Sequence, residues 1–193
     1  MTYLAWIRHG VTDWNEQKRA QGQTDVPLNA RGRRQAELLA ARLVEDQESW
    51  DAIYASDLSR AYETAETIGR ALGLPVVADA RLREIGFGQV EGTTPDERIR
   101  KWGEHWAELP LGKEETPEAI ERLTSFMEDM AAKHPNERLL VVSHGAFIGL
   151  ALRHLIPELN TDEHLRNTSV TKIRRTELGW ACELYNCSRH VVE

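Results

Sequence analysis

Apolar and polar positions follow two different periods along this chain, and the order of the resulting elements predicts an α/β fold. Short apolar runs such as LAWI near the start and LLVV near residue 140 are typical of buried strands. Between them, NARGRRQAELLAARL repeats apolar residues every three or four positions, which predicts a helix with Asn29 as its N-cap. A second βα pair follows, in which the strand DAIYASD precedes a helix that Gly73 and Pro75 end.

The rest of the chain continues this alternation. The predicted elements are a short strand at 75–78, a loop over RLREIGFGQVEGTTPDE, a polar helical segment from about Asp96 to Glu108, a helix from about Pro117 to Lys133 capped by Thr116, the strand RLLVVS, the helix AFIGLALRHLI, and a hairpin of strands at 169–175 and 180–185. This order predicts a three-layer α/β/α sandwich with a mostly parallel central sheet. The length of 193 residues predicts a single domain over residues 1–193.

Two of the predicted strands end in the same unusual way. The first runs into Arg8, His9 and Gly10, and a later one runs into His144 and Gly145. Ligands of open parallel sheets bind outside the carboxyl ends of the strands, so neighbouring strands would project both histidines into one crevice. Gly145 would then open a helix whose N-terminal amides favour an anion. We therefore expect a site for one small anionic ligand.

Composition and charge restrict the partners of such a site. No apolar stretch is long enough to cross a bilayer, and the N-terminus lacks the pattern of a signal peptide, so we expect a cytoplasmic protein without a membrane partner. The formal net charge of −7 argues against nucleic acid as a partner. Cys182 and Cys187 lack the spacing of a zinc site and are interpreted as reduced thiols. Any bound anion therefore needs a local cluster of cations.

Five motifs occur in an order and spacing that resemble a known family. They are RHGVTDWN, QGQTDVPLNARG, YASDLSRAYETAE, LREIGFGQVEG and VVSHG, and together they span residue 4 to about residue 150. The chain resembles the histidine phosphatase family, which includes cofactor-dependent phosphoglycerate mutases and related small phosphatases. The resemblance implies an α/β/α fold and transfer of a phosphoryl group through a covalent phosphohistidine. It also implies that His9 is the nucleophile.

The residue types around His9 fit that chemistry. A neutral imidazole is a good nucleophile near neutral pH, and Arg8, Arg60 and His144 can stabilise the charge on a transferring phosphoryl group. We therefore expect no metal and no cofactor. Arg60 lies in the first turn of its helix, where the helix dipole disfavours a cation. Either a bound phosphate or a surface ion pair with Asp57 compensates for its charge.

The leaving alkoxide must acquire a proton, and two glutamates are candidates for the donor. Glu84, in LREIGFG, matches the family's position for a proton-donating carboxylic acid, and Glu91 is the competing candidate. The alternative role for Glu84 is a surface pair with Arg81 or Arg83. The resemblance thus favours Glu84 without excluding Glu91.

Further residues are candidate phosphate contacts. Asn15 and Gln21 match loop positions that touch phosphoryl oxygens in the family, although solvated loop amides are an equal alternative. Gly145 would offer its backbone to the same anion. For His144, the alternative is a core histidine bonded to backbone. With Arg8 and Arg60, these residues form the predicted substrate-binding set.

The segment 93–116 carries the least specific signal. Trp102, His105 and Trp106 could form a lid over the leaving group or pack against the core. Val11 and the start of GKEETPEAIERL depart from the family pattern, which puts substrate contacts in doubt. Because the segment lacks a basic cluster for a second phosphate, we expect a small phosphate monoester as substrate.

The predicted function is therefore a metal-independent phosphatase of small phosphate monoesters. A phosphoglycerate mutase is the first alternative. A non-catalytic phosphate-binding module is the second. The sequence leaves the oligomeric state open.

Overall fold

The computed structural model describes residues 3–191, in which strands and helices alternate along the chain. The strands are β1 (Tyr3–Arg8), β2 (Ala52–Ala55), β3 (Val76–Ala78), β4 (Arg138–Ser143), β5 (Val170–Thr176) and β6 (Gly179–Cys187). The α-helices are α1 (Asp13–Glu16), α2 (Ala30–Glu45), α3 (Ser59–Leu72), α4 (Pro95–Trp102), α5 (Thr116–Lys133) and α6 (Gly145–Leu155). Among the described residues, no helix is both long enough and apolar enough to span a membrane.

The strands form one sheet in the order β3-β2-β4-β1-β5-β6. The first four strands in that order are parallel, and β5 and β6 are antiparallel to their neighbours. In the pairing of β1 with β4, Ile7 lies opposite Val142 and Arg8 opposite Ser143. The predicted α/β sandwich with a mostly parallel sheet is confirmed, and the two strands that end in histidines are neighbours.

Two hydrophobic clusters cover the two faces of this sheet. Leu4 and Trp6 of β1 belong to the cluster under α5 and α6, whereas Ala5 and Ile7 belong to the cluster under α2 and α3. This alternation follows from the two-residue period of a strand. Burying one large apolar side chain stabilises the fold by roughly 1.5–3 kcal/mol, so both faces hold β1 in place. The result is the predicted three-layer arrangement.

The helical segment expected from Asp96 to Glu108 is not continuous. Helix α4 ends at Trp102, and Gly103 follows with φ +84°, a conformation that stops a helix. A separate 3₁₀ turn covers Trp106–Glu108. The sequence prediction overlooked Gly103 as the end of the helix.

Three smaller differences concern the loops and helix ends. Glu115, not Thr116, is the N-cap of α5, and its amide donates to the side chain of Glu118. The loop after β3 contains two 3₁₀ turns, Ala80–Leu82 and Gly88–Val90. Helix α1 has no counterpart among the predicted elements, and it forms because Thr12 caps it with Asn15 in a capping box.

Candidate active site

The parallel pairing of β1 with β4 brings His9 and His144 together at the carboxyl edge of the sheet. The centroids of their rings are 5.2 Å apart, and the His9 amide donates to the Ser143 carbonyl at 3.0 Å. Both histidines are buried, with 2% and 0% of their surface exposed. The strand ends therefore place the two rings side by side, as the sequence predicts.

A cavity of about 400 Å³ opens in front of His9. Its floor contains the following predicted site residues: Arg8, His9, Asn15, Gln21, Arg60, Glu84 and Gly145. His144 lies behind this floor, against the His9 ring. The mouth of the cavity is formed by residues 161–165, Arg153, Tyr185 and Arg19.

The hydrogen bond that the His9 side chain makes determines which of its two ring nitrogens carries the proton. Its Nδ1 lies 2.6 Å from the Gly10 carbonyl oxygen, which can only accept a hydrogen bond. Nδ1 therefore carries the proton, and the lone pair of Nε2 is free. Burial, followed by the positive charges of Arg60 and Arg8, holds the pKa of His9 well below its usual range. The His9 ring is thus neutral at neutral pH, with an unprotonated Nε2.

The same tautomer follows for His144. Its Nε2 lies 2.8 Å from the Ser56 hydroxyl, which already accepts from the Leu58 amide at 3.3 Å. Donation to Nε2 gives the Ser56 hydrogen an acceptor and leaves the His144 proton on Nδ1. Within residues 3–191, this buried Nδ1 has no partner. Burial and nearby Arg60 hold the pKa of His144 well below its usual range, so its ring is a neutral donor.

Arg60 is fully buried and is anchored by backbone. Its guanidinium donates to the carbonyls of Thr24, at 2.9 Å, and Gly22, at 2.7 Å. Burial lowers the pKa of Arg60 to about 10, which keeps it charged at neutral pH. The alternative ion pair with Asp57 is wrong, because Asp57 binds Arg83 through two hydrogen bonds of 2.6 and 2.7 Å.

Arg8 completes a group of buried donors without partners. It donates through Nη1 to the Leu165 carbonyl and lies along Gly145, where an added Cβ would be 3.2 Å from its Nε. In the described part of the chain, Arg8 Nε, Arg60 Nε and His144 Nδ1 are buried and unpartnered. Each such group costs roughly 1–3 kcal/mol unless it finds an acceptor. These three donors, two in the floor and one behind it, are therefore suited to an anion with several oxygen acceptors.

Glu84 lies at the N-terminus of α6, beside this group of donors. Its carboxylate accepts from the amides of Ile85 at 2.9 Å, Phe147 at 2.8 Å and Ala146 at 3.1 Å. Burial raises the pKa of Glu84 although these bonds favour its charged form. The two neighbouring arginines bind other carboxylates, Arg81 with Asp79 and Arg83 with Asp57. The alternative surface pair for Glu84 is therefore wrong.

This position of Glu84 changes the expected role of the α6 N-terminus. The amides of Ala146 and Phe147 already bind a carboxylate of the protein, so the helix dipole acts first on Glu84. Gly145 remains in the cavity wall, next to Arg8.

Glu91, the competing acid, does not line the cavity. Its carboxylate accepts from the amides of Gln23, Thr24 and Phe87, each at 2.9 to 3.0 Å. It thereby fixes the loop whose carbonyls hold Arg60. The geometry thus gives Glu91 a role in positioning this loop.

Asn15 and Gln21 use their side-chain oxygens inside the protein. Asn15 Oδ1 accepts from the Thr12 amide at 3.2 Å, and Gln21 Oε1 accepts from the Thr12 hydroxyl at 2.8 Å. Both residues line the cavity. Their amide nitrogens are therefore the groups left to serve as neutral donors, as the sequence analysis expects.

The mouth of the cavity differs from the sequence prediction. No residue of 93–116 lines it, and residues 161–165 occupy the place expected for that segment. Trp102 and Trp106 are half-buried outside the two sheet-face clusters, with Lys101 and Arg98 over their rings at 4.4 and 5.1 Å. Neither tryptophan lines the cavity in this structure, and the lid role stays a prediction.

Sequence reasoning also missed residues that support the floor. Ser56 bonds to His144, and Thr64 accepts from the Gly10 amide at 3.1 Å. Both lie inside the motif YASDLSRAYETAE, so their spacing from Arg60 was a usable signal. Residues 161–165 and Arg153 carry no comparable pattern.

Metal-binding clusters and the two cysteines are the remaining features that could bind a ligand. Residues 3–191 contain no cluster of three or more histidine, cysteine, aspartate or glutamate side chains that could hold a metal ion. Cys182 and Cys187 are free thiols on β6, away from the cavity.

Comparison with known proteins places this geometry in a family. A model described as the histidine phosphatase superfamily (branch 1) matches residues 4–188. The chain is 36% identical over 194 residues to the "Uncharacterized phosphatase PhoE" of Bacillus subtilis, which covers 99% of this chain and 97% of that one. It is 33% identical to "Phosphoglycerate mutase-like protein 4" of Arabidopsis thaliana, over 97% of this chain and 86% of that one.

A solved structure shows the same fold. The mycobacterial glucosyl-3-phosphoglycerate phosphatase in complex with VO3 has a TM-score of 0.85 and 29% identity, over 96% of this chain and 98% of that one. The family match, the sequence relatives and the structural similarity agree with the resemblance found in the five motifs. The chain belongs to the histidine phosphatase superfamily.

Proposed function

We propose that this chain is a phosphatase that hydrolyses small phosphate monoesters through a covalent phosphohistidine on His9, with Glu84 as the proton donor. Family membership and the phosphatase names of its relatives support the class of reaction. The observation that carries the residue roles is the group of three unpartnered buried donors on Arg8, Arg60 and His144 beside the free Nε2 of His9.

The first step forms the phosphoenzyme. His9 Nε2 attacks the phosphorus atom while the bond from phosphorus to the ester oxygen breaks. The three donors hold the phosphoryl oxygens, whose charge they neutralise in the transition state. Glu84 gives its proton to the departing alkoxide, so an alcohol leaves and Glu84 becomes a carboxylate. The raised pKa of Glu84 favours the protonated form that this step requires.

The second step releases phosphate. A water molecule gives a proton to the Glu84 carboxylate and attacks the phosphorus atom, while the bond between phosphorus and His9 Nε2 breaks. Phosphate leaves, and both side chains return to their starting forms. Because the cations that stabilise the phosphoryl group belong to the chain, we propose that hydrolysis needs no metal ion.

The exposed mouth of the cavity favours hydrolysis over mutase activity. A mutase must protect its phosphoenzyme from water long enough to return the phosphoryl group to a bound intermediate. Here Arg153, Asp162, Glu163 and His164 at the mouth are exposed, which gives water a path to His9. Mutase activity and phosphate binding without turnover remain the alternatives that the experiment distinguishes.

The experiment combines covalent labelling with product analysis. With a ³²P-labelled monoester we expect protein-bound label that is labile to acid and stable to base. His9→Ala should remove both the label and at least about 10⁴-fold of kcat, because no other histidine lines the floor. His105→Ala, a histidine outside the cavity, is the matched control and should retain both.

Product analysis separates the three functions. Free phosphate from 3-phosphoglycerate in the presence of trace bisphosphoglycerate supports the phosphatase, whereas 2-phosphoglycerate as the main product would establish a mutase. Vanadate binding without hydrolysis of any ester in a broad panel would leave a binding module. Loss of activity in EDTA, restored by a metal ion, would refute the metal-independent mechanism.

A further inference from the structure

One face of α6 connects the floor of the cavity to its mouth. Gly145, Gly149 and Arg153 all line the cavity, and their spacing of four residues places them on the same side of the helix. With a rise of about 1.5 Å per residue, Arg153 Cα lies about 12 Å along the helix from Gly145 Cα. This face therefore extends from the proposed phosphate site to the position of the leaving group.

The Arg153 side chain lies back along this face toward the floor. A Cβ added at Gly149 would be 3.3 Å from Arg153 Nη1 and 4.0 Å from Nη2, so the Nη end of the guanidinium lies over Gly149. Helical side chains lean toward the N-terminus of their helix, which explains this direction. The guanidinium is thus about one helical turn, or about 6 Å along the axis, from Gly145. Gly149 supplies the space that it occupies.

Unlike Arg19 and Glu163, which also lie at the mouth, Arg153 has no ion pair in the described part of the chain. Arg19 binds Glu97 at 2.7 Å, and Glu163 binds Arg166 at 3.0 Å. Asp162 also lines the mouth but does not pair with Arg153. The exposed guanidinium of Arg153 is therefore available to a ligand.

We propose that Arg153 is a specificity-determining residue that binds a carboxylate on the alcohol part of the substrate. This inference rests on the proposed function and adds a substrate class to it, namely phosphate esters of short hydroxy acids. A guanidinium binds a carboxylate through two parallel hydrogen bonds, and one carboxylate needs only one such partner. A second phosphate group on the substrate carries more charge than a carboxylate, and Arg153 is the cation that α6 offers at this part of the cavity wall. Because the guanidinium is about one turn from the floor, the ester must be short.

The experiment measures a ratio rather than a single rate. For each variant, kcat/KM for phosphoserine or 3-phosphoglycerate is divided by kcat/KM for phenyl phosphate, which has no carboxylate. We expect Arg153→Gln to lower this ratio at least tenfold and Arg153→Lys to restore part of it, since the charge remains but the paired donors are lost. Arg100→Gln removes the same charge from α4 outside the cavity and should keep the wild-type ratio.

Gly149→Ala tests the position of the guanidinium. An added methyl displaces it, so the ratio should fall at least threefold, while replacement of a helical glycine should raise the melting temperature. Arginine in the last turn of a helix also stabilises the helix dipole, but that role would change stability without changing the ratio.

Two outcomes would overturn the inference. The first is an Arg153→Gln ratio within twofold of wild type. The second is a ratio that falls equally in Arg100→Gln. Either result leaves the phosphatase proposal intact, because phosphoenzyme labelling tests that proposal separately. A wild-type protein that hydrolyses no ester of the broad panel would refute both proposals.

Discussion

The floor and the mouth of the cavity are built in different ways. The floor is made of buried groups on adjacent strand ends and helix starts, and its cations are held by backbone carbonyls. At the mouth, Asp162, Glu163 and His164 of the connection between α6 and β5 are exposed, as is Arg153 of the last turn of α6. Floor residues therefore have positions that the fold fixes, whereas mouth residues can change without disturbing the sheet.

This difference assigns chemistry to one region and selectivity to the other. A reaction common to all phosphate esters needs fixed charges around one phosphoryl group, and buried groups supply fixed charges because their side chains cannot rearrange. Recognition of the alcohol needs only a few contacts, which exposed residues can provide. We expect floor substitutions to reduce the rate for every ester and mouth substitutions to change the ranking of esters.

Replacement of Glu84, the proposed proton donor, should produce the largest effect that depends on the leaving group. Glu84→Gln keeps the shape of the side chain but holds no transferable proton, so kcat for an alkyl phosphate should fall about 10²–10⁴-fold. The loss should be much smaller for p-nitrophenyl phosphate, because that phenolate leaves without a proton. Steady-state kinetics with both esters measures the difference. Equal losses for both esters would contradict the assignment.

The Glu84→Gln substitution should also change the pH dependence of kcat/KM. The pKa of Glu84 is raised, so its acid form persists to higher pH, and wild-type kcat/KM should fall as the pH rises through that pKa. The pKa of His9 is lowered, so loss of activity on the acid side should occur well below pH 6.5. In Glu84→Gln the alkaline loss should disappear while the acid side remains. A pH profile of kcat/KM for both proteins measures the loss on the acid side and the loss on the alkaline side.

The hydroxyl of Ser56 should matter less, since it acts through His144. Ser56→Ala removes the donor to Nε2, so the imidazole can protonate there and lose its Nδ1 donor toward phosphate. We expect roughly a tenfold loss of kcat/KM for every ester and weaker vanadate binding, because one oriented donor is worth about 1–2 kcal/mol here. Ser59→Ala, on a serine outside the cavity that bonds to Asp25, is the control.

A second measurement separates positioning from general destabilisation. Nitrogen NMR of the His144 ring should report the Nδ1-protonated tautomer in wild type and a mixture in Ser56→Ala. An unchanged tautomer with reduced activity would show that Ser56 acts in another way.

The sequence predicted the floor because its geometry follows from local rules. His9 and His144 each end a buried apolar run, and strand pairing then places them side by side. The anchoring of Arg60 could not be predicted in the same way, because its partners Gly22 and Thr24 lie in a loop that Glu91 fixes from 67 or more residues away. From the sequence, Glu91 could be interpreted only as the competing candidate for the proton donor.

The mouth could not be predicted because distant contacts determine its position. The Tyr185 hydroxyl donates to the Glu163 carbonyl, and Asn186 donates to the His164 carbonyl, both at 3.1 Å. These partners come from β6, about twenty residues later, and residues 161–165 have no hydrophobic period of their own. By contrast, Trp102, His105 and Trp106 in 93–116 are conspicuous in the sequence, which is why the sequence favours that segment for leaving-group recognition.

The smallest expected effect concerns a charge at the mouth. Asp162 is exposed and faces the cavity, so its negative charge repels an approaching phosphate ester in a chain of net charge −7. Asp162→Asn should raise kcat/KM about two- to threefold at low ionic strength, with no change in kcat. Because salt at about 0.5 M screens exposed charges beyond a few ångströms, the gain should vanish there. Glu104→Gln, which removes an equal charge away from the cavity, should show no gain at either salt concentration. A gain that persists at high salt would mean that Asp162 contacts the substrate directly, and the mouth would then share the fixed geometry of the floor.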